Sequence, residues 1–299
     1  THTLTVQPAP SVVVPNQDTT LCVGGTIPDL YVNPTGPGTI TYEWNLVGGA
    51  SNPISTNATF PVPTNVAGTY EYNCIVSFSS GGCPDVTSSN ITITIVSDPS
   101  VTGPVAPSAI CDGGVIANPL NVIVSGGTGT ISYSWNEIGG SSNPIGTDPT
   151  YDPGILSPTG IYEYQVTVDY NGNGCDPITS NIVQINVVDD PSADDILNDT
   201  TVCQSSPNSS AAILEVNNVQ GGINTNYQYQ WWDATGGLPG IPIGGATSNT
   251  YQPPTDNVGV YSYYCVITND PASTDCEYTT NTHTLTVQPA PSVVVPNQD

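Results

Sequence analysis

Eight cysteines are the residues of this chain best suited to covalent chemistry. Their spacing matches no zinc or redox motif, so disulfides formed in an oxidising compartment are the expected use. The middle third holds only Cys111 and Cys175, and similar intervals separate Cys22 from Cys83 and Cys203 from Cys276. Cys74 and Cys265 are left over and read as buried free thiols. A cation site is a second candidate. DYNGNG at 169–174 sets Asp169, Asn171 and Asn173 at alternate positions before Gly174, like the first half of a Ca2+ loop. The twelfth position is Ser180, where a bidentate Glu belongs, so an Asn-Gly hairpin turn is the expected reading. The aspartates between 189 and 195 offer a further ion site at a joint.

Catalysis is harder to build from these residues. His2 and its copy His283 lie in a Thr-rich strand with no acid–nucleophile pattern nearby, so a solvated strand residue is expected. Asp189–Asp190 and Asp194–Asp195 would serve as a glycosidase pair only if folding happened to place them so.

Lys plus Arg is zero against Asp plus Glu of 25, where an average domain composition implies roughly thirty cations. Without cations there is no basic patch for phosphates, which excludes nucleic acid. An anionic membrane surface would repel the chain, and no stretch reaches the roughly eighteen apolar residues of a span. Arginine clamps, Schiff-base lysines and P-loop lysines are all ruled out. Salt adaptation would crowd the surface with carboxylates, yet only 8% of residues are charged. A surface of Thr, Ser, Asn and Gly without trypsin sites reads instead as extracellular and protease-exposed, with a net charge of −25 keeping copies apart.

The elements that must position these residues repeat. THTLTVQPAPSVVVPNQD occurs at 1–18 and again at 282–299, a period of 281 residues, so the chain reads as one period plus the start of the next within a longer array. The period subdivides. TYEWNLVGG (41–49), SYSWNEIGG (132–140) and QYQWWDATGG (228–237) are versions of one motif, as are GTYEYNCIVSF (68–78), GIYEYQVTVDY (160–170) and GVYSYYCVITN (259–269). SNITITIV, SNIVQINVV and NTHTLTVQ follow in turn. Gly and Pro total 59, apolar residues alternate with polar ones, and turn residues separate the segments, which predicts an all-β fold of three tandem Ig-like sandwiches. The boundaries are 1–7 (last strand of a preceding unit), 8–97, 98–189 and 190–288 (domains 1, 2 and 3), and 289–299 (start of the next repeat). Domain 1 strands are expected near 11–15, 19–22, 29–33, 39–46, 57–62, 68–78 and 88–96. DPS and PAPS joints at the boundaries act as stiff linkers.

Trp44, Trp135 and Trp231 occupy matching places and read as core residues of strand C. Tyr70 with Tyr72, Tyr162 with Tyr164 and Tyr261 with Tyr263 share one face as a second core ladder, in a G-x-Y context whose hydroxyl ties a corner to nearby backbone in immunoglobulin domains. Tyr72, Tyr164 and Tyr263 stand where an immunoglobulin domain carries cysteine in G-x-Y-x-C, so the usual inter-sheet disulfide is absent or displaced. Trp232 replaces Asn45 and Asn136 on the opposite face, and is the candidate for an exposed contact.

Together TTLCVGG, YEWN, GTYEYNCIV and GGC resemble the Ig-like repeats of large Bacteroidetes surface proteins, including gliding adhesins. The resemblance covers all three units and implies spacers or stalks of secreted adhesins. It also draws attention to Asp18-Thr19-Thr20 and Asp199-Thr200-Thr201, which match the Asp-Thr-small acceptor of O-glycans in that group, making Thr19 and Thr200 candidates for covalent glycans. Asn57, Asn90, Asn198 and Asn208 begin N-x-Ser/Thr sequons.

Two disulfide patterns are open. The expected one staples each domain, as Cys22–Cys83, Cys111–Cys175 and Cys203–Cys276, closing loops of about sixty residues. In an ordinary Ig topology those turns lie at opposite ends of a sandwich, and the first cysteine of one domain would then meet the late cysteine of the next. Cys22–Cys74 and Cys203–Cys265 are further alternatives. The functional expectation is a structural filament or stalk without catalysis or cofactor, partnered by further copies of the repeat in the same chain or in others. A glycan-binding or host-binding adhesin module is the alternative. At about 3.3 Å per strand residue, each domain should extend on the order of 40 Å and a period roughly 120 Å.

Overall fold

In a computed structural model, the protein is described over residues 2–3, 6–80, 82–194, 199–205, 207–269 and 276–293. Among these residues the chain is strands, turns and one short 3-10 turn at Ser210–Ala212. Two compact units divide it: residues 1–104, 121–151 and 164–182, and residues 105–120, 152–163 and 183–299.

Domain 1 lies wholly in the first unit. Its strands are β1 (Ser11–Val13), β2 (Thr19–Cys22), β3 (Leu30–Tyr31), β4 (Asn33–Thr35), β5 (Ile40–Leu46), β6 (Thr59–Phe60), β7 (Gly68–Phe78), β8 (Val86–Thr87) and β9 (Ile91–Val96). One sheet has the order β2-β9-β7-β5, with β8 on β7, while β1-β4 and β3-β6 pair separately. All these ladders are antiparallel except β2 with β9, which run parallel and match Cys22 with Val96. Period-two patterning explains the packing. Ile91, Ile93 and Ile95 are buried while Thr92 and Thr94 face outward, and Tyr72, Cys74, Val76 and Phe78 point into the same core.

Domain 2 contributes β10 (Ser100–Thr102), β11 (Ile110–Cys111), β12 (Leu120–Asn121), β13 (Ile123–Ser125), β14 (Thr130–Glu137), β15 (Thr150–Tyr151), β16 (Gly160–Asn171), β17 (Ile178–Thr179) and β18 (Val183–Val188). In the first unit β14 pairs antiparallel with Tyr164–Asn171 of β16, and β10 with β13. In the second unit β11 runs parallel to β18 and matches Cys111 with Val188. Residues 160–163 of β16 belong to the second unit and the rest of that strand to the first.

Domain 3, in the second unit, has β19 (Thr200–Cys203), β20 (Leu214–Glu215), β21 (Gln228–Asp233), β22 (Ile241–Pro242), β23 (Thr250–Tyr251), β24 (Gly259–Thr268), β25 (Glu277–Thr279) and β26 (His283–Gln288). Its main sheet is β19-β26-β24-β21-β22, and β19 runs parallel to β26 with Cys203 opposite Gln288. Each domain thus has the Ig-like sandwich arrangement that the motifs predict. In domain 1 the expected strand near 29–33 is divided into β3 and β4, and the short β8 is an addition to the expected set.

One aromatic cluster recurs in each core. Trp44 stacks on Phe60 at 6.0 Å between centroids, and Phe60 meets Tyr72 at 5.3 Å. Trp135, Tyr151 and Tyr164 repeat this at 5.8 and 5.6 Å, as do Trp231, Tyr251 and Tyr263. The three tryptophans are fully buried, and their indole N–H groups donate to the carbonyls of Asn57, Asp148 and Ser248 at 3.1, 2.9 and 2.9 Å.

The second aromatic ladder divides into a core half and a corner half. The buried tyrosines are Tyr72, Tyr164 and Tyr263, whereas Tyr70, Tyr162 and Tyr261 are half-buried at the strand entrance. Their hydroxyls donate to the carbonyls four residues upstream, Val66, Pro158 and Asn257, at 3.2, 2.9 and 3.2 Å. This is the tyrosine corner of Ig-type sandwiches. In domains 1 and 3 the preceding glycine makes room for the ring: a Cβ on Gly68 or Gly259 would meet it at 3.2 or 3.1 Å.

His283 also departs from the solvated reading. It sits on the inward face of β26 with Leu285 and Val287, at the place held by Ile91 and Val183. The strand's alternation decides its burial. His2 is exposed.

A buried hydroxyl bridges the interruption between β8 and β9 and its equivalents. Ser88, Ser180 and Thr280 accept the backbone N–H of Cys74, Val166 and Cys265 at 2.9, 3.1 and 2.9 Å. Each then donates to the carbonyl of the next residue. Replacing the hydroxyl leaves a buried N–H without a partner, which costs about 1–3 kcal/mol. Ser180→Ala should therefore lower the unfolding free energy by about 2 kcal/mol in denaturant titration, with little change in far-ultraviolet circular dichroism.

Candidate functional site

The arrangement that distinguishes this chain lies where one domain passes to the next. In the first unit a disulfide joins Cys22 of domain 1 to Cys175 of domain 2, with Cα atoms 4.9 Å apart and a sequence separation of 153. In the second unit Cys111 of domain 2 joins Cys276 of domain 3, with Cα atoms 5.3 Å apart and a separation of 165. The expected intradomain pairs Cys22–Cys83, Cys111–Cys175 and Cys203–Cys276 are therefore replaced by the between-domain pattern. Parallel pairing with the last strand is the reason. It carries Cys22 and Cys111 to the end where the chain leaves the domain, opposite Val96 and Val188. The late cysteine of the same domain follows the long strand and precedes the last one, so six residues of β9 separate the two ends. At strand rise that is on the order of 20 Å, against a disulfide Cα limit near 7 Å.

Backbone contacts complete each joint. The Cys22 N–H donates to the Asn173 carbonyl at 3.0 Å. Gly174, at φ +68°, lies so close to domain 1 that a Cβ there would sit 2.5 Å from the Gly25 Cα. The linkers are held by glycine pairs. Gly127 donates to the Ser97 carbonyl at 2.9 Å, and Gly222 to the Asp189 carbonyl at 2.8 Å. A Cβ on Gly126 or Gly221 would stand 2.7 or 2.4 Å from the carbonyl oxygen of Asp98 or Asp190. Tyr170 and Tyr227 brace the same glycines, donating to the carbonyls of Gly126 and Gly221 at 3.2 and 2.8 Å. Those tyrosines and glycine pairs went unremarked in the sequence, although SGG and QGG recur at matching places ahead of strand C.

The remaining cysteines differ sharply in setting. Cys74 and Cys265 are fully buried beside the central tryptophans, at the place held by Val166. Burial pushes their thiols up to about 11 and about 12. They pack as small apolar side chains, and the pairings Cys22–Cys74 and Cys203–Cys265 do not form. Cys203 is exposed at the end of β19, and Cys83 is half-buried in the turn after β7.

The backbone of the Ca2+ candidate segment is tied into the sheet and the joint. Asp169 lies within β16 opposite Ser132, whose hydroxyl donates to its carbonyl, Asn171 ends that strand, and Asn173 supplies its carbonyl to Cys22. Among the described residues no group of three or more His, Cys, Asp or Glu is placed to hold a metal ion. Asp18 and Asp199, the acidic members of the O-glycan motifs, accept the backbone N–H of Thr92 and Thr284 at 2.7 and 2.8 Å, fastening the first strand to the last. Thr19 and Thr200 are half-buried in β2 and β19. Of the sequons, Asn57 is exposed, Asn90 donates to Glu71 at 3.0 Å, and Asn208 accepts the Thr255 N–H at 3.1 Å. Asn198 and Asp195 lie outside the described residues.

Trp232 is half-buried rather than openly exposed. It stacks on Tyr264 at 5.9 Å with 9° between planes, next to Pro242 of β22, and its indole N–H is buried with no hydrogen-bond partner among the described residues. Asp233, Thr235, Gly237, Pro239 and Ile241 line a small open cleft beside it. No helix among the described residues is long and apolar enough to cross a membrane.

The fold is similar to that of three N-terminal domains of the bacteriophage RB49 Highly Immunogenic Outer Capsid protein (Hoc). That match has a TM-score of 0.57 and 16% identity, and covers 95% of this chain and 100% of that one. Sidekick-1 immunoglobulin domains 1–5 match at a TM-score of 0.46 and 16% identity, over 95% of this chain and 60% of that one. Drosophila OTK extracellular domains 3–5 match at 0.35 and 13%, over 92% and 96%. The Hoc match shows a tandem Ig-like fold. No family model matches the chain, and no curated protein sequence matches it.

Two outcomes follow from the joints and the buried thiols. Gly174→Ala adds a clash at the first joint to the cost of a positive φ, whereas Gly113→Ala, at φ +81° with open space, adds the backbone cost alone. The first should lower the thermal midpoint more than the second and slow Cys22–Cys175 formation, as followed by calorimetry and thiol quenching. The raised thiols fix a pH window. Stability from keeping Cys74 and Cys265 neutral is fully present below pH 9. It is lost as pH rises through about 11 and about 12. Cys74→Val with Cys265→Val, copying Val166, should flatten the decline of the unfolding midpoint above pH 9.

Proposed function

We propose that the chain is the repeating structural segment of an extracellular filament or stalk on a bacterial surface adhesin of the Bacteroidetes type. Its work is mechanical, with no catalytic step. The observation that carries this reading is that both disulfides tie one sandwich to the next. A disulfide of this kind leaves each core to stand on its own packing and gives the joint a covalent bypass around its linker. Pulling on the linker between domains 1 and 2 loads Cys22–Cys175 as well as the backbone. The closed loops exceed 150 residues, for which chain-entropy arguments give about 5 kcal/mol each.

The rest of the composition supports an exposed location. Disulfides persist in oxidising compartments. The absence of Lys and Arg removes every trypsin site, and a charge of −25 opposes lateral clumping. Further copies of the repeat are the natural partners, with covalent glycans at Asn57, Thr19 or Thr200 on the surface. Electron micrographs of native material should show threads with an axial repeat on the order of 120 Å, set by strand rise. Compact particles without periodicity would overturn the proposal.

A second reading, a glycan-binding adhesin module, rests on Trp232. An aromatic pair beside a cleft is a usable sugar platform. A glycan array showing binding that Trp232→Ala abolishes would favour it; an array without binding would remove it.

A further inference from the structure

The first strand of the main sheet ends alike in all three domains. Cys22 stands opposite Val96, Cys111 opposite Val188 and Cys203 opposite Gln288, each the last residue of the strand that leads the chain out. The residue after the cysteine is fixed alike in domains 1 and 3: Val23 donates to the Val96 carbonyl at 2.9 Å and Gln204 to the Gln288 carbonyl at 2.7 Å. At the first two places the cysteine is bonded to the late cysteine of the following domain. At the third place Cys203 is exposed.

Beyond β26 the chain continues into Pro289, and residues 282–299 repeat residues 1–18 without a change. On the tandem-array reading the next domain is a copy of domain 1, whose late cysteine is Cys83, five residues past the end of β7. We propose that Cys203 forms a disulfide with Cys83 of the next copy of the repeat, so that the joint between copies is locked like the two joints within one. This rests on the tandem-array reading above. The cysteines would be 161 residues apart, between the 153 and 165 of the two observed bridges. Cys74 and Cys265 are fully buried in their cores and do not compete.

Formation is a thiol–disulfide exchange with an oxidised dithiol donor, either an oxidoreductase disulfide or glutathione disulfide. The Cys203 thiolate attacks one donor sulfur and breaks the donor S–S bond. The Cys83 thiolate of the next copy then attacks the Cys203 sulfur and displaces the second donor thiolate. Two cysteine thiols are oxidised, one donor disulfide is reduced, and the two protons end on the donor thiols.

The test is a chain of two consecutive periods, with the exposed Ser210→Thr in the first copy as a mass tag on its Cys203 peptide, folded in a glutathione redox buffer, alkylated, and cut without reduction by chymotrypsin and a glutamate-specific protease. Mass spectrometry should find first-copy Cys203 linked to second-copy Cys83. The second-copy Cys203 has no following copy and serves as an internal reference. Iodoacetamide labelling of first-copy Cys203 should fall at least about tenfold below it, as expected for a thiol consumed in a bridge. Cys83→Ser in the second copy alone should restore that labelling, while Cys83→Ser in the first copy alone should leave it low. Equal labelling of both Cys203 residues, with Cys22–Cys175 and Cys111–Cys276 intact, overturns the bridge and leaves the tandem reading standing. Nonreducing maps of native threads provide a second measurement: a Cys203–Cys83 peptide supports the bridge, and alkylated Cys203 overturns it. Native material without threads would instead overturn the array.

Discussion

The parallel pairing of a short first strand with the last strand of each sandwich governs the behaviour of this chain. Parallel neighbours finish at the same end. Whatever ends β2, β11 or β19 is thereby delivered to the place where the polypeptide leaves for the next domain. A cysteine there cannot reach the late cysteine of its own sandwich, a strand length away, and it faces the turn that the next domain presents. Between-domain disulfides, the close approach of Gly174 to Gly25 and the clamped linkers all follow from that one register.

The composition places unusual weight on packing and neutral hydrogen bonds. With no Lys or Arg, carboxylates have no cationic side chain but histidine to pair with, and they act as acceptors for backbone and amide donors. Asp18 and Asp199 fasten the parallel strand by taking an N–H of the last strand, and Asp233 takes the N–H of Thr235. Each core then relies on a buried tryptophan, an aromatic partner, a buried tyrosine and a corner tyrosine. A hydroxyl residue satisfies the one backbone N–H that the interrupted edge strand leaves over. The missing inter-sheet disulfide of immunoglobulin domains is compensated by aromatic packing, since Tyr72, Tyr164 and Tyr263 fill the cysteine place. That change frees cysteine for the joints.

Much of this was legible without coordinates. Three alternating motifs with matching tryptophans and turn residues specify three Ig-like sandwiches, because period-two burial and turn chemistry are local properties of the chain. Burial of Cys74 and Cys265 was readable from Val166 at the matching place, and the tyrosine corner from G-x-Y. Tertiary structure alone decided what depends on which ends and faces meet. His283 looks polar in a Thr-rich run but lies inward, because the strand's phase is set against β24. Trp232 reads as an outward contact yet acquires Tyr264 and Pro242 as neighbours across two ladders. DYNGNG looks like a cation loop, yet its Asn173 carbonyl takes the Cys22 N–H of the neighbouring domain, a contact its spacing does not announce. Cysteine intervals are equally compatible with staples and with joints; only the strand direction chooses, since sequence distance carries no information about which end of a sheet a residue reaches.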